Sequence, residues 1–167
     1  EPDFRARLEV AEADTYQISA AGGTAIIDDK LAFRLSGDYR ESNGFITNTF
    51  LNEDADTSEL SNIRGKLLFT PTENIRIVTT HTYAENYAGE DVINVGETDT
   101  FSRDVSYNIP GREGTETFLN AVNLEWDISD TWSFQSITTH QSTDYIRLED
   151  FNTEPDDTSE VGLDRRG

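Results

Sequence analysis

Residues 30–40, with the sequence K-L-A-F-R-L-S-G-D-Y-R, decide how the chain folds. Every second position from Leu31 to Tyr39 is apolar or glycine, and charged or small residues occupy the positions between them. Because successive side chains of a strand point to opposite faces, this period of two predicts a β-strand with one apolar and one charged face. So many charges do not fit a packed core and favour a side in contact with water. The apolar side then needs a second sheet or lipid to cover it.

The same alternation recurs along most of the chain. The predicted strands are residues 4–10, 16–24, 30–40, 61–70, 75–84, 117–128 and 132–141. We expect the last strand to extend through Tyr145 and Ile146 before an acidic loop begins. The pattern therefore predicts an all-β fold, an antiparallel up-and-down meander of about seven strands.

The connections between the predicted strands are alternately short and long. The short ones lie near Asp28, Thr72 and Ser129, and the long ones are residues 41–60, residues 85–116 and the tail. In an up-and-down sheet, this alternation collects these short turns at one end and the long loops at the other. Outer-membrane barrels have short periplasmic turns and long external loops, so we expect these strands to form part of a transmembrane β-barrel.

The large aromatic residues of the predicted apolar faces fall into two groups. One group lies beside the short turns, and the other lies at the opposite ends of the strands. The first group is Phe69, Trp126 and Trp132, and the second is Tyr16, Tyr39 and Tyr83. Two aromatic rows that flank an aliphatic band are typical of the girdles of membrane barrels. The strand at 30–40 has about nine residues between its ends, close to the length that a tilted membrane strand needs.

Composition narrows the possible functions. The chain has 167 residues, 35% of them hydrophobic, and a net charge of -20, which argues against a nucleic-acid partner because binding to phosphates requires Lys and Arg. It contains no Cys, so disulfides and Cys zinc sites are excluded. It has no apolar run of about 18 residues, so no membrane-spanning helix is expected. The chain starts at Glu1-Pro2 and contains no Met, so we expect it to be an interior piece of a longer protein.

Three phrases of the sequence resemble the barrel strands of TonB-dependent outer-membrane receptors. The first is D-D-K-L-A-F-R-L-S-G at 28–37, followed by Tyr39-Arg40 and Asn43-Gly44-Phe45. The second is R-G-K-L-L-F-T-P at 64–71, followed by Asn74, and the third is S-F-Q-S-I-T at 133–138, which continues to Asp144-Tyr145. Their order and spacing match the early to middle part of the barrel.

This resemblance implies a fold and a function. The family has a barrel of about 22 strands with an N-terminal plug, and TonB energises the import of scarce nutrients such as iron–siderophore complexes, cobalamin, haem or oligosaccharides. Residues 1–167 would be a partial barrel domain, about a third of the wall, without the plug and the C-terminal strands. The implied protein is a receptor of the bacterial cell outer membrane and not an enzyme. Its implied partners are TonB, through a missing N-terminal region, the imported ligand and outer-membrane lipid; no cofactor and no nucleic acid are expected.

Three other functions remain open. A passive porin-like channel has similar strands but needs no plug. A soluble β-sandwich that binds a ligand such as a carbohydrate would cover the apolar faces with a second sheet. A β-rich hydrolase is the weakest alternative, because the sequence has no nucleophile or metal-protease motif.

The candidate functional residues are five cations on the predicted polar face, Arg34, Arg40, Arg64, Lys66 and Arg76. They predict a basic lumen wall that attracts anionic ligands or contacts a plug, although barrel interiors are polar in any case. The acids of the long loops suggest either cation capture or simple solvation; they are Glu53, Asp54, Asp56, Glu90, Asp91, Glu97 and Asp99. His81 and His140 fall on the apolar faces, and we assign no catalytic, cofactor or metal role to any residue.

Overall fold

The computed structural model describes residues 2–89, 103–150 and 161–166. These residues form eleven strands in two sheets. The main sheet contains β1 (Asp3–Ala11), β2 (Thr15–Ile27), β3 (Leu31–Ser42), β6 (Ser58–Thr72), β7 (Ile75–Gly89), β9 (Arg112–Ser129), β10 (Trp132–Asp150) and β11 (Val161–Arg166). The small sheet contains β4 (Thr47–Asn48), β5 (Glu53–Asp54) and β8 (Asp104–Val105). In the described ranges, no helix is long and apolar enough to cross a bilayer.

The main sheet is an antiparallel up-and-down meander, which confirms the predicted all-β class. Its strand order is β1-β2-β3-β6-β7-β9-β10-β11, and each strand pairs with the neighbours that precede and follow it in the sheet. All seven predicted strands form. The tail differs from the prediction, because β10 continues to Asp150 and β11 adds an eighth strand where an acidic loop was expected. The sheet is open, with β1 and β11 as its edges within the described part of the chain.

Cross-strand register brings the apolar residues of the strands onto one side. Phe33 lies opposite Leu67, Leu67 lies opposite Thr79, and Thr79 lies opposite Val122. Side chains alternate along every strand. This register therefore places the odd-numbered residues of a strand on one face of the sheet and its even-numbered residues on the other. The apolar face carries Phe4, Leu8, Val10, Tyr16, Ile18, Phe33, Leu35, Ile63, Leu67, Phe69, Tyr83, Phe118, Val122, Trp126 and Phe134. We call the opposite side, which carries the five cations, the polar face.

As far as the structure describes the chain, the main sheet is a single layer without a hydrophobic core. Within the described ranges, Val105 and Tyr107 are the only buried apolar side chains, whereas Phe33 and Leu35 are 41% and 51% exposed. The accessible surface is 11835 Å², compared with about 8,300 Å² for a compact monomer of this length. The apolar face therefore lacks a covering layer in the described part of the chain.

The connections follow the predicted division with two differences. The short turns at 28–30, 73–74 and 130–131 share one end of the sheet, which we call the short-turn end. The long connections lie at the opposite end, the long-loop end, but the short hairpin turn at 12–14 lies there as well. The two long polar stretches are also less irregular than predicted. They contain the small sheet, and β6, β7 and β9 extend into them.

The exposed apolar face and the unpaired edges predict that residues 1–167 alone self-associate in plain buffer. Light scattering should report species larger than one chain, and detergent above its critical micelle concentration should disperse them. A stable monomer in detergent-free buffer would contradict this expectation.

Candidate functional site

The five predicted cations share the polar face of β3, β6 and β7. Arg34 lies directly opposite Lys66, and Arg64 lies opposite Ser36 in β3 and Thr82 in β7. All five side chains are exposed. The sequence prediction of a shared face therefore agrees with the register, but the five cations differ in the partners they have.

Two of the cations are neutralised by carboxylates of other strands. Arg34 Nη1 donates to both carboxylate oxygens of Asp3, at 2.9 and 2.8 Å. Gly23 separates these residues in register, and it has no side chain to block the Arg34 side chain from crossing β2. Arg76 Nη1 donates to Glu125 at 3.1 Å, directly across the β7–β9 pair. These groups are about half exposed, so each ion pair contributes little to stability and mainly balances local charge.

The other three cations have no carboxylate partner among the described residues. Arg64 Nε donates to the neutral hydroxyl of Thr82 at 3.2 Å. Lys66 and Arg40 form no hydrogen bond or ion pair with the described part of the chain. Positive charge on the polar face is therefore concentrated where Arg64 and Lys66 follow each other on β6.

A cleft of about 650 Å³ opens at the long-loop end of the sheet. The small sheet and the ends of β3, β6, β7 and β9 contribute residues to its lining. Four carboxylates line the cleft, Glu41, Glu53, Asp54 and Glu59, together with the cation Arg112. Its size fits a small-molecule ligand, and its charge makes it unfavourable for polyanions.

Asn48 holds the small sheet together. It is 2% exposed, its Nδ2 donates to the Tyr107 carbonyl at 3.0 Å, and its Oδ1 accepts from the backbone N–H groups of Phe50, Leu51 and Tyr107. Thr49 N–H also donates to the Val105 carbonyl at 2.8 Å. Because buried polar groups require partners, this one side chain joins two long connections into a defined wall of the cleft.

Asp56 closes the first long connection from the other side. Its carboxylate accepts from the backbone N–H groups of Phe45 and Ile46 at 2.8 to 3.0 Å. Gly44, at φ 78°, reverses the chain just before these donors, and only glycine adopts that conformation readily. The Arg103 guanidinium stacks over the Phe45 ring at 5.4 Å, which ties the second long connection to the first.

Tyr87 forms the β7 side of the cleft. The hydrogen bond that its hydroxyl donates to Glu116 raises the pKa of Tyr87 above its ordinary value, and the cost of desolvation raises that pKa further. Arg112 lies 4.3 Å from the centre of the Tyr87 ring and lowers the same pKa to a lesser extent. Gly114 lies beneath this ring, where a Cβ would come within 2.2 Å of it. The ring is thus fixed between a carboxylate, a cation and a glycine.

The loop acids and the histidines lie in different surroundings. Asp56 serves the loop backbone, whereas Glu53 and Asp54 line the cleft; the acids at 90, 91, 97 and 99 lie outside the described residues. In the described part of the chain, no group of three potential ligands could hold a metal ion. His81 Nδ1 lies 2.6 Å from Asn120 Oδ1 on the apolar face, and His140 lies opposite Asn120 on the next strand.

No protein-family model matches the chain, and no solved structure matches it.

Replacing Asn48 by Ala should loosen the small sheet. The substitution leaves buried backbone groups without partners, at a cost of about 1–3 kcal/mol. Hydrogen exchange should become faster at residues 45–55 and 103–108 while the main sheet keeps its protection. Asn86→Ala, at an exposed position of β7, is the matched control. Equal exchange rates in the two variants would show that Asn48 does not organise these connections.

The Tyr87–Glu116 pair should be visible in an alkaline titration. A raised pKa means that the bond stabilises the fold below about pH 10 and that this contribution is lost as the pH rises through the pKa of folded Tyr87. Glu116→Gln should therefore move the ionisation of Tyr87, followed by tyrosinate absorbance, to lower pH. Glu113→Gln, on the opposite face of the same strand, should leave the titration unchanged. A titration that Glu116→Gln does not alter would contradict this assignment.

Proposed function

We propose that residues 1–167 form part of the wall of an outer-membrane β-barrel and that the whole protein is a TonB-dependent nutrient receptor. The apolar face contacts lipid, the polar face borders the water-filled lumen, and the long connections lie outside the cell. The observation that carries the barrel is the oblique course of the aromatic rows across the sheet.

The outer aromatic row shifts against the hydrogen-bond register. Tyr16 of β2 lies opposite Glu41, but the tyrosine of β3 is Tyr39, two residues nearer the short-turn end. Tyr39 is aligned through Ser61 with Glu85, and Tyr83, the β7 tyrosine of this row, is again two residues nearer that end, whereas Tyr87 lies beyond the row at the cleft. The row therefore shifts by four residues over three strand-to-strand steps.

The inner aromatic row shifts in the same direction. Phe69 of β6 is aligned through Ile77 with Leu124 of β9, whereas the tryptophan of β9 is Trp126. Trp126 is two residues nearer the short-turn end, and this shift accumulates over two strand-to-strand steps. The two rows are thus nearly parallel to each other and inclined to the hydrogen-bonded rows.

Strand tilt explains this inclination. Neighbouring strands of a barrel are about 4.8 Å apart and tilted by about 40°. The point at which a strand crosses a flat membrane boundary therefore shifts along the strand by about 4 Å, or roughly 1.2 residues, from each strand to the next. The observed shifts are four residues over three strand-to-strand steps in the outer row and two residues over two steps in the inner row, and both agree with this value. In a β-sandwich, the aromatic residues need not follow an inclined line, because the second protein layer that covers them has no flat boundary.

The cleft gives the long-loop end a place for a ligand. It lies outside the aromatic rows, and hydrogen bonds between the two long connections shape it. Ligand capture by the long connections is consistent with a receptor, but Glu41, Glu59 and Arg112 of the cleft share the parity of the apolar face, so the cleft itself is not assigned to the lumen. The TonB-dependent class rests on the three sequence phrases, since the wall alone also suits a passive channel.

Single-cysteine labelling of the complete protein in its native membrane tests the wall. The 167 residues contain no Cys, so each introduced thiol is the only one in this part of the protein. A bulky impermeant maleimide should label Asp54→Cys on intact cells, and Asp130→Cys only after the outer membrane is permeabilised. Phe33→Cys should stay unlabelled even then, whereas its polar-face control Ser36→Cys should react. Equal labelling of Phe33→Cys and Ser36→Cys by the hydrophilic reagent would exclude a lipid-facing side.

Uptake by the same cells tests the class of transporter. Ligand accumulation should require TonB if the protein is an energised receptor. Uptake that is equal with and without TonB would instead favour the porin-like channel, while the labelling pattern would still support the barrel wall.

A further inference from the structure

The apolar face changes character between its two halves. Along residues 31–39 of β3 and 63–69 of β6, this face carries only aliphatic or aromatic side chains and glycine. On β7, β9 and β10 it carries six polar residues that lie nearer the short-turn end than the paired glutamates Glu85 and Glu116. We call these six residues the histidine patch; they are Thr79, His81, Asn120, Ser136, Thr138 and His140.

Strand register arranges most of the histidine patch in two parallel rows centred on β9. The first row is His81–Asn120–His140, and the second is Thr79–Val122–Thr138. The residues on the two sides of β9 therefore match, histidine with histidine and threonine with threonine. Neither row contains a carboxylate or a guanidinium.

Lipid tails are a poor covering for the histidine patch. His81 Nδ1 lies 2.6 Å from Asn120 Oδ1, and Nδ1 is the donor of this hydrogen bond because an amide oxygen only accepts. Asn120 also carries amide N–H donors, and His81 has a second ring nitrogen. His140 forms no hydrogen bond with the described residues. Amide and imidazole groups without partners are costly in hydrocarbon, whereas another polypeptide can supply those partners.

We propose that the histidine patch is the surface through which two copies of the complete protein associate side by side in the outer membrane. This inference rests on the proposed function, because it requires the apolar face of β7, β9 and β10 to lie within the bilayer. It makes this part of the wall a protein contact, while β1 to β6 face lipid.

The matching rows favour a second copy as the occupant. A two-fold axis along the membrane normal relates two identical barrels in one membrane, so β9 faces β9 and β7 faces β10 of the other copy. A surface of this kind must be complementary to itself. The histidine patch meets this condition, because β7 and β10 carry the same residue types and both amide and imidazole can donate and accept.

Apolar side chains around the histidine patch supply packing area. Phe118, Val122 and Phe134 are 47%, 43% and 47% exposed. A patch three strands wide and nine residues long covers about 430 Å² on each copy, near the low end of specific interfaces. We therefore expect a reversible dimer held by a polar centre and an apolar surround, an arrangement found between membrane-spanning segments.

Disulfide cross-linking of the complete protein in its native membrane tests the proposal. Because β9 faces itself across the two-fold axis, one cysteine on β9 can pair with the same cysteine of the other copy. Phe118→Cys and Val122→Cys, each introduced alone, should give a product of twice the protein's mass after treatment with the membrane-permeable oxidant copper phenanthroline. Leu35→Cys, at the middle of the same face on β3, is the matched control and should give no more of this product than the unsubstituted protein.

Three further measurements identify the contact. Co-expression with a longer, tagged copy should add a product of intermediate mass, which identifies the partner as a second copy. Asn120→Leu, combined with Val122→Cys, should lower the yield about three- to tenfold, the effect of one hydrogen bond between membrane segments. Thr24→Val, a change on the apolar face of β2, should leave the yield of Val122→Cys unchanged.

Each contrary outcome has a distinct meaning. Yields from Phe118→Cys and Val122→Cys that do not exceed the yield from Leu35→Cys would overturn the proposal, and so would cross-linking only to a protein of another mass. A yield that Asn120→Leu does not reduce would show that the histidine patch does not hold the copies together. Failure of the barrel wall would be seen independently, as reaction of Phe33→Cys with the hydrophilic maleimide.

Discussion

The hydrogen-bond register of the main sheet is the constraint on which every other feature depends. A slip of one residue in any pair would move the apolar set of that strand to the opposite face. Tight turns fix the register where strands are joined directly. At the first hairpin Ala13 and Asp14 both have positive φ values, 58° and 46°, which is the geometry of a type I′ turn that matches strand twist. Asp29, at φ 59°, serves the next turn.

A sheet with this register has strong backbone pairing but little burial. The ladder hydrogen bonds order the strands, yet the large apolar side chains remain exposed and contribute little hydrophobic stabilisation. Such a sheet depends on what covers its apolar face and on what continues its edges. In the long connections, the polar contacts of Asn48 and Asp56 supply the local order that a core would otherwise give.

Sequence alternation was sufficient to predict the seven strands and the shared face of the five cations, because both depend only on parity along a strand. It could not find β11, since V-G-L-D-R-R is short and mixed in character. It ended the β7 strand at Ala84, because Glu85 and Asn86 interrupt the apolar alternation, and so it missed Tyr87. Asn48 bonds to Tyr107, 59 positions away, and the Arg34–Asp3 pair needs the order β1-β2-β3 with Gly23 between them. These contacts follow from topology and not from local pattern.

The charges of the apolar face argue for the same oblique boundary as its aromatic residues. Between the two aromatic rows, the described positions of this face carry no charged residue. The first charges, Glu41 on β3 and Glu85 on β7, follow directly after Tyr39 and Tyr83.

The position of these carboxylates is informative because their arrangement is unfavourable. Glu41 lies opposite Glu59, and Glu85 lies opposite Glu116, so two like-charged pairs stand side by side at the long-loop end. Water and hydroxyl donors such as Tyr39, 2.6 Å from Glu41, can screen that repulsion, whereas hydrocarbon cannot. In the proposed barrel wall, the line at which paired glutamates become tolerable would mark where bulk water begins, and it runs just beyond the tyrosines. A second protein layer would also exclude charge from the apolar face, but it gives no reason for that exclusion to end along an inclined line.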